Sequence, residues 1–292
     1  MSICCSFAEE HTRTLMMWLA TADRGLCASL YAPSAVTARV GEGATVRITE
    51  ETEYPFGDTV NFRVSLNGTA SFPLLLRIPG WCREASVQVN GKHVAGAHAL
   101  SYATVDREWH DGDTVTLRLP MNLAVRTWEK NHNAVSVERG PLTFSLQIGE
   151  RWERDGGNEA WPDWNVYPST PWNYGLALDA KQPASSFTVM SRPGPLPAQP
   201  FTPENAPLSL RVAARRIPAW MQDNQGLVNT LQQSPARSTE PLETVTLIPM
   251  GCARLRISAF PTIGDGDHAH EWAEPAHPAI AASASHCFES DT

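Results

Sequence analysis

The chain has 292 residues, which is enough for one large domain or two domains of ordinary size. Hydrophobic residues make up 42% of it and charged residues 18%, a balance that is typical of globular proteins and excludes a disordered chain. The net charge of −8, without any cluster of Lys and Arg, excludes a nucleic-acid-binding surface, because such a surface needs cations to neutralise phosphates.

The first predicted element is a helix over residues 7–21, FAEEHTRTLMMWLAT. Ser6 is a candidate N-cap, and Glu9 three residues later completes a capping-box pattern. The apolar face of this helix would consist of Leu15, Met16, Trp18 and Leu19. No later segment predicts a helix as clearly, so this one would be the last element of a different structural unit.

The amino-terminal segment does not have the pattern of a secretory signal. It lacks a basic start, and charged or polar residues between Glu9 and Arg13 interrupt any apolar run. No run in the chain approaches the ~18 consecutive apolar residues of a membrane span. The sequence leaves the cellular location undetermined, with the cytoplasm favoured over secretion.

From Gly25 onward the pattern changes to short strands. The runs that favour β structure are LCASLYA, AVTARV, ATVRITEETEY, TVNFRVSL, FPLLLRI, ASVQVNG, TVTLRLPM and AVSVERG. Val46 and Ile48 alternate with polar residues, as in a half-buried strand. The turns between strands include Asn67-Gly68 and Asn90-Gly91, and this dipeptide is the strongest short hairpin signal. The spacing of strands and turns predicts a β-sandwich over residues 25–149.

Residues 150–175 form an aromatic-rich segment with little periodicity. Its tryptophans and tyrosines are Trp152, Trp161, Trp164, Tyr167, Trp172 and Tyr174. We interpret the segment as a structured loop whose aromatic side chains anchor it on or between domains. The sharper alternative is an exposed aromatic patch that binds sugar.

A second β-sandwich domain is predicted over residues 150–262 from the runs LSLRVAA, ETVTLIP and ARLRISAF. The six prolines of residues 192–207 exclude a helix or a central strand there and favour a loop. Residues 263–292 contain no Lys or Arg, and we expect an acidic flexible tail or the beginning of a truncated further module.

Of the six cysteines, Cys4 and Cys5 are adjacent and the other four are isolated in the sequence. A disulfide framework is typical of small secreted domains, which this chain is not. Cys27, Cys82 and Cys252 lie in apolar runs and are expected to be buried packing residues. Adjacent cysteines rarely bond to each other, so the pair leaves metal binding, nucleophilic chemistry or chance as explanations.

Two groups of acidic residues are candidates for acid–base chemistry or cation binding. The first group consists of Glu50, Glu51 and Glu53. Strand alternation places Glu51 and Glu53 on one face, near one another, and a solvated face is the favoured interpretation. The second group surrounds a predicted hairpin and consists of Asp106, Glu108, Asp111 and Asp113. Turn chemistry is favoured for this group over calcium binding.

Several phrases in a characteristic order resemble one known family. After the Cys-Cys pair they are GLCASLYAPS, ITEETEYPFGDTVNFRV, LLLRIPGWC, VQVNGK, VDREWHDGDTVTLRLPM, VERGPLTFSL and LIPMGCARLRISAFP. This order is similar to the carboxy-terminal part of glycoside hydrolase family 127, the β-L-arabinofuranosidase group formerly called domain of unknown function 1680. The resemblance covers roughly residues 3–262, and LRIPGWC and ERGPL are its more specific pieces.

The resemblance implies an (α/α)6 barrel that carries the active site, with residues 1–24 as the end of that barrel. It implies a zinc ion held by one glutamate and three cysteines, with Cys4 as nucleophile and Cys4 and Cys5 among the zinc ligands. The glutamate ligand, the third cysteine and the general acid/base would lie upstream and cannot be placed in this chain. The implied reaction is hydrolysis of a terminal arabinofuranoside with retention, through a thioglycosyl intermediate.

Residue patterns and resemblance together predict an all-β protein, with two consecutive β-sandwich domains preceded by one helix left over from an (α/α)6 barrel. A carbohydrate substrate is expected for the intact enzyme, but neither tightly bound Zn²⁺ nor turnover for this chain alone. The alternative function is a non-catalytic carbohydrate-binding or scaffold module. A surface that includes Leu15, Trp18 and Leu19 is expected to be exposed and to favour self-association.

Overall fold

The computed structural model describes residues 17–94, 96–223 and 226–271. From Trp18 onward, the helical structure in these ranges is limited to four 3₁₀ turns, Glu129–Asn131, Pro183–Ser186, Met250–Cys252 and Gly266–His268. Within the same ranges no helix has both the length and the apolar character needed to cross a membrane. The prediction of an all-β fold with successive sheet units is confirmed.

The predicted amino-terminal helix is wrong at its carboxyl end. Trp18–Ala20 form strand β1, which pairs antiparallel with strand β2, Leu26–Ala28. Trp18 is buried and the two residues after it are exposed, while its indole Nε1 donates a hydrogen bond to Ser34 Oγ at 3.1 Å. Short apolar runs fit both helix and strand, and here pairing with β2 decides for the strand. Residues 7–16 of the predicted helix lie outside the described residues.

Two sheets make up the first β unit. One contains β1, β2, β6 (Thr69–Ile78) and β9 (Ser101–His110), in the order β1-β2-β6-β9, with β2 and β6 parallel. The other is antiparallel and contains β3 (Ser34–Val40), β4 (Ala44–Thr52), β5 (Thr59–Leu66), β7 (Ser86–Val89), β8 (Lys92–Val94) and β10 (Thr114–Arg118), in the order β3-β4-β5-β10-β7-β8. Buried side chains of both sheets, such as Phe72, Trp109, Ile48 and Phe62, belong to one core, as in a β-sandwich.

The two Asn-Gly turns have different outcomes. Asn90 and Gly91 have φ angles of 51° and 76° and join β7 to β8 as a two-residue hairpin, as predicted. Asn67 and Gly68 connect β5 to β6, which lie in different sheets, so the hairpin prediction is wrong there. After Asn67-Gly68, strand β6 pairs with β2 and β9 instead of returning along β5.

A seven-stranded sheet forms the second β unit. Its strands are β11 (Leu123–Trp128), β12 (Ala134–Arg139), β13 (Leu142–Leu146), β16 (Tyr174–Leu176), β17 (Thr188–Ser191), β18 (Leu208–Arg216) and β19 (Leu242–Pro249). The order is β11-β12-β13-β19-β18-β16, and β17 also pairs with β18. The second core contains Val137, Phe144, Leu210, Leu247 and Phe260.

Residues 257–263 link opposite sides of this sheet. Val135 and Phe260 exchange two backbone hydrogen bonds of 2.8 and 2.9 Å, and Leu146 N donates to Ile257 O at 2.8 Å. On the far side, Leu176 N donates to Pro261 O at 2.8 Å. The segment therefore joins β12 and β13 to β16 and closes the sheet over the second core.

Strands β11–β13 belong to the seven-stranded sheet of the second β unit because β13 pairs with β19. The change from the first β unit to the second falls between Arg118 and Leu123, whereas the sequence-based division falls at residue 149. Residues of the predicted tail also pack on the second unit up to His270, whose backbone N–H donates to Pro235 O at 2.9 Å.

A separate two-stranded sheet projects from the second unit. It consists of β14 (Glu150–Gly157) and β15 (Pro162–Pro168), paired antiparallel. We call this pair the ribbon. All residues of these two strands are exposed or half-buried, so their side chains are available for contacts outside the two cores.

Candidate functional site

The predicted catalytic and zinc-binding pair, Cys4 and Cys5, lies outside the described residues. Cys27, Cys82 and Cys252 are buried free thiols, which confirms the packing role predicted for them. Burial raises the pKa of the Cys252 thiol to about 11, so it is protonated at neutral pH. Within the part of the chain that the structure describes, no three residues of His, Cys, Asp or Glu form a group that could hold a metal ion.

The aromatic segment divides into a buried and an exposed part. Trp172 packs against Trp220 with ring centroids 5.3 Å apart, and Tyr174 is buried with its hydroxyl 3.1 Å from Glu243 Oε2. These two side chains are anchors, as the loop interpretation predicted. On the ribbon, by contrast, Trp152 is 46% exposed and Trp164 is 49% exposed.

Strand register places the two exposed ribbon tryptophans on one face. Trp152 lies opposite Val166, and Trp164 lies opposite Arg154. Since opposite residues share a face and every second residue along a strand returns to it, all four side chains lie on the same side. The tryptophan rings meet edge to face, with centroids 6.2 Å apart.

A cavity of about 740 Å³ lies next to this face of the ribbon. Its lining includes Gln147, Glu150, Trp152, Thr170, Thr246 and Arg254. The cavity is thus bounded by the ribbon, by the ends of β13 and β19, and by the segment that follows the 3₁₀ turn Met250–Cys252.

Hydrogen bonds among three side chains hold part of the cavity wall in position. Glu150 Oε2 accepts hydrogen bonds from Trp152 Nε1 at 3.1 Å and from Arg254 Nη1 at 3.0 Å. The Arg254 guanidinium lies 5.3 Å from the centre of the Trp152 ring, within the range of a cation–π contact. Three planar groups therefore hold one another in position, and Trp152 is oriented even though it is half exposed.

The sequence did not single out Arg254. It lies in the run ARLRISAF, which was expected to be a strand, but residues 253–259 form no strand. Because this segment is irregular, the side chain of Arg254 can reach the ribbon across 104 positions of sequence to Glu150. No local pattern would have predicted that contact.

Glu50 is the one residue of the first acidic group that is not solvated. It is 1% exposed, and its carboxylate accepts hydrogen bonds from Ala32 N at 3.0 Å and Ser34 Oγ at 3.2 Å. Burial raises the pKa of Glu50 to about 8, against the lowering effect of these two hydrogen bonds. The prediction of a solvated face is confirmed for Glu51 and Glu53 and is wrong for Glu50.

Strand alternation could have predicted the burial of Glu50. Val46 and Ile48 are buried on β4, and Glu50 is the next residue of the same parity, so it continues their face into the core. Trp18 Nε1 also donates to Ser34 Oγ. The Glu50 carboxyl therefore belongs to a buried polar network where β1 meets β3 and β4.

Asp111 and Asp113 of the second acidic group accept hydrogen bonds that stabilise the turn after β9. Asp113 accepts hydrogen bonds from Asn90 Nδ2 at 2.7 Å and from His110 N at 2.9 Å. Burial opposes ionisation of Asp113, but these hydrogen bonds and the Arg107 guanidinium outweigh it, so the pKa of Asp113 lies below its ordinary value. Asp111 accepts from Leu66 N at 3.2 Å. This geometry supports the turn interpretation.

Comparison with known proteins identifies the first β unit. Residues 25–121 match the family model described as β-L-arabinofuranosidase, GH127 middle domain. The resemblance to glycoside hydrolase family 127 is confirmed. The match covers β2–β10 with the turns between them, and so includes Glu50 and Asp113, whereas the ribbon and its cavity lie outside it.

Solved structures extend the similarity to most of the chain. A GH127 β-L-arabinofuranosidase from Geobacillus stearothermophilus T6 is 27% identical with a TM-score of 0.57, over 84% of this chain and 35% of that enzyme. A protein described as a glycoside hydrolase is 22% identical (TM-score 0.55), over 83% of this chain and 36% of its own. A GH127 β-arabinofuranosidase is 18% identical (TM-score 0.57), over 83% and 35%. The last two show similarity of fold alone.

The chain spans 35–36% of the length of these three proteins. No curated protein matches the chain. The similarity therefore concerns a β region that, in these three solved structures, belongs to a much longer chain.

Proposed function

We propose that this chain acts as the β-sheet region of a GH127-type glycoside hydrolase and braces a separate catalytic unit. The observation that carries the proposal is the match of residues 25–121 to the GH127 middle domain. Similarity to about a third of the Geobacillus enzyme, over most of this chain, supports the same role. A sandwich with a continuous core of its own is a suitable brace.

The activity proposed for the complete enzyme is hydrolysis of a terminal β-L-arabinofuranoside with retention of configuration. Cys4 is the proposed nucleophile, and Cys4 and Cys5 are proposed zinc ligands. A protein zinc site takes three or four ligands, and the described residues provide no group to complete one. The described residues therefore do not complete a zinc site for this pair, and we propose that the chain alone is inactive.

Zinc content and turnover of the purified chain test this proposal. We expect less than one zinc per chain by mass spectrometry and no release of nitrophenol from 4-nitrophenyl β-L-arabinofuranoside. Cys5→Ser should change neither result. Stoichiometric zinc that is lost in Cys5→Ser, but kept in the matched control Cys287→Ser, would show that the pair does belong to a complete site.

A chimera tests the bracing role directly. The third of the Geobacillus enzyme that this chain matches would be replaced by residues 25–262, with a deletion of that third as control. We expect the chimera to be soluble and to hydrolyse the aryl arabinofuranoside, while the deletion does not. A chimera that is folded by circular dichroism but as inactive as the deletion would contradict the bracing role.

Self-association remains a prediction, with a smaller surface than the sequence suggested. Trp18 is buried, contrary to expectation, and Leu15 lies outside the described residues. Leu19 and Leu30 are half exposed, and Leu30 N donates to the carbonyl of Met17. Light scattering should show a concentration-dependent increase in mass that Leu19→Glu reduces and Leu100→Glu, at another exposed leucine, does not. A monomer at all concentrations would contradict it.

A second candidate function is a non-catalytic carbohydrate-binding module. The observation that favours it is the exposed aromatic face of the ribbon beside a cavity of about 740 Å³. This function and the bracing role use different residues and are compatible.

A further inference from the structure

The ribbon poses a physical problem, because it exposes large aromatic side chains while burying little. A two-stranded sheet is marginally stable by itself, and exposed aromatic clusters cost solvation free energy without contributing to a core. Trp152 and Trp164, which share one face, are both more than a third exposed, as is Tyr167 on the opposite face, and Trp161 at the turn is 79% exposed. Exposed adjoining aromatic side chains such as Trp152 and Trp164 are typical of surfaces that bind a ligand or a partner.

We propose that the ribbon face formed by Trp152 and Trp164, together with the adjacent cavity, is a binding site for a neutral carbohydrate chain. The inference rests on the second candidate function, whose ligand class it names, and it uses only residues of the second β unit and the ribbon, so it does not depend on the glycosidase proposal. Its support comes from the shape of the site, the chemistry of its lining and its charge.

The aromatic face matches one side of a sugar ring. Sugar rings present C–H groups on their faces and hydroxyl groups at their edges, so an indole can cover the apolar face while the hydroxyls stay hydrogen-bonded. Trp152 is oriented in advance by Glu150 and Arg254. A side chain that is already held in place loses little conformational entropy when a ligand binds.

The polar lining matches the edges of a sugar. Gln147, Thr170 and Thr246 offer both donors and acceptors along the cavity wall, and Glu150 and Arg254 add planar groups. The cavity volume of about 740 Å³ falls within the range of small-molecule sites, which combine apolar surface with a few converging polar groups.

The charge of the site does not favour anionic ligands. The Arg254 guanidinium is paired with Glu150 at 3.0 Å, and the lining contains a second carboxylate, Glu204. A second guanidinium, that of Arg154, lies on the same ribbon face as the two tryptophans. Two carboxylates and two guanidinium groups leave no excess positive charge for a phosphate, a sulfate or a uronic acid. A neutral polyhydroxylated ligand needs no such charge.

Affinity electrophoresis in native gels tests the proposal with named probes. The gels would contain soluble arabinan, arabinoxylan or mixed-linkage β-glucan, with polygalacturonate as the anionic control. We expect at least one neutral polysaccharide to retard the chain and polygalacturonate to have no effect. Trp152→Ala and Trp164→Ala should each weaken the retardation by at least about tenfold, as for the loss of a central aromatic anchor.

Trp128→Ala is the matched control. Trp128 is 39% exposed and lies under Arg126, so it resembles Trp152 in exposure and in its cationic neighbour, but it does not line the cavity. Its removal should leave binding unchanged. Thermal unfolding should be nearly the same for the ribbon variants and the unmodified chain, because neither ribbon tryptophan belongs to a core.

Four outcomes would overturn the proposal. They are no retardation by any neutral polysaccharide, equal retardation by polygalacturonate, undiminished binding in both ribbon variants, or an equal loss in Trp128→Ala. Loss of binding confined to the ribbon variants, with unchanged thermal unfolding, supports it.

Discussion

The tryptophans of the first β unit and those of the ribbon occupy opposite environments. Trp109 is fully buried between the sheets, with its Nε1 donating to Phe72 O at 2.9 Å, and Trp18 is buried beside Phe62. Trp152 and Trp164 are half exposed on a ribbon outside both cores. The same residue type therefore stabilises the fold in one region and is available for binding in the other.

The largest expected effect is the difference in free energy of unfolding between a variant in the first core and a variant on the ribbon. Trp109→Ala should lower the free energy of unfolding by about 3–5 kcal/mol, because it leaves a cavity and a buried carbonyl without its donor. Trp164→Ala should lower it by no more than about 0.5 kcal/mol, as for an exposed side chain. Urea denaturation measures both. Similar losses in the two variants would mean that the ribbon is part of the cooperative fold.

The next effect compares Glu50 with its exposed neighbour Glu51. In the unfolded chain Glu50 loses its proton near the ordinary pKa of 4.5, whereas the folded chain keeps that proton until about pH 8. The contribution to stability is therefore fully present below pH 4.5 and is lost as the pH rises through 8. The expected slope approaches about 1.4 kcal/mol per pH unit within this window.

Glu50→Gln should remove this pH dependence, since an amide imitates the neutral carboxyl and can still bond to Ala32 and Ser34. The variant should be more stable than the unmodified chain at pH 8 and similar to it at pH 4.5. Glu51→Gln, the matched control, should keep the original dependence. Denaturation midpoints of both variants, measured across this pH range, test this expectation. The same pH dependence of the midpoint in Glu50→Gln and Glu51→Gln would refute the buried-carboxyl interpretation.

The smallest expected effect compares polar contacts in the two regions. Asp113→Ala should lower the free energy of unfolding by about 1–3 kcal/mol, because Asn90 and the His110 N–H lose a charged acceptor. Glu153, on the ribbon, forms an exposed ion pair with Arg151. Glu153→Ala should cost less than about 1 kcal/mol. Thermal denaturation at neutral pH measures both, and a larger loss for Glu153→Ala would contradict the ranking.

Much of the strand content was predictable, because period-two alternation in runs such as ATVRITE follows from covalent geometry. The buried cysteines and the loop at residues 192–207 were predictable for similar local reasons. The strand at Trp18 was not predictable, since an apolar run of that length fits both helix and strand. The candidate site was predictable only as an aromatic segment, because its division into anchors and platform depends on which rings the second core covers.

The sequence by itself determined the local geometry, including strand alternation, the positions of turns and the residue types that can bind a sugar face. Only the tertiary structure decided that Asn90-Gly91 makes a hairpin while Asn67-Gly68 leads to another sheet, and that Arg254 meets Glu150 beside the ribbon. The physical reason is the separation in sequence between the residues that interact. Backbone sterics act between neighbours in the chain, whereas sheet pairing and burial depend on contacts between residues that are far apart in sequence.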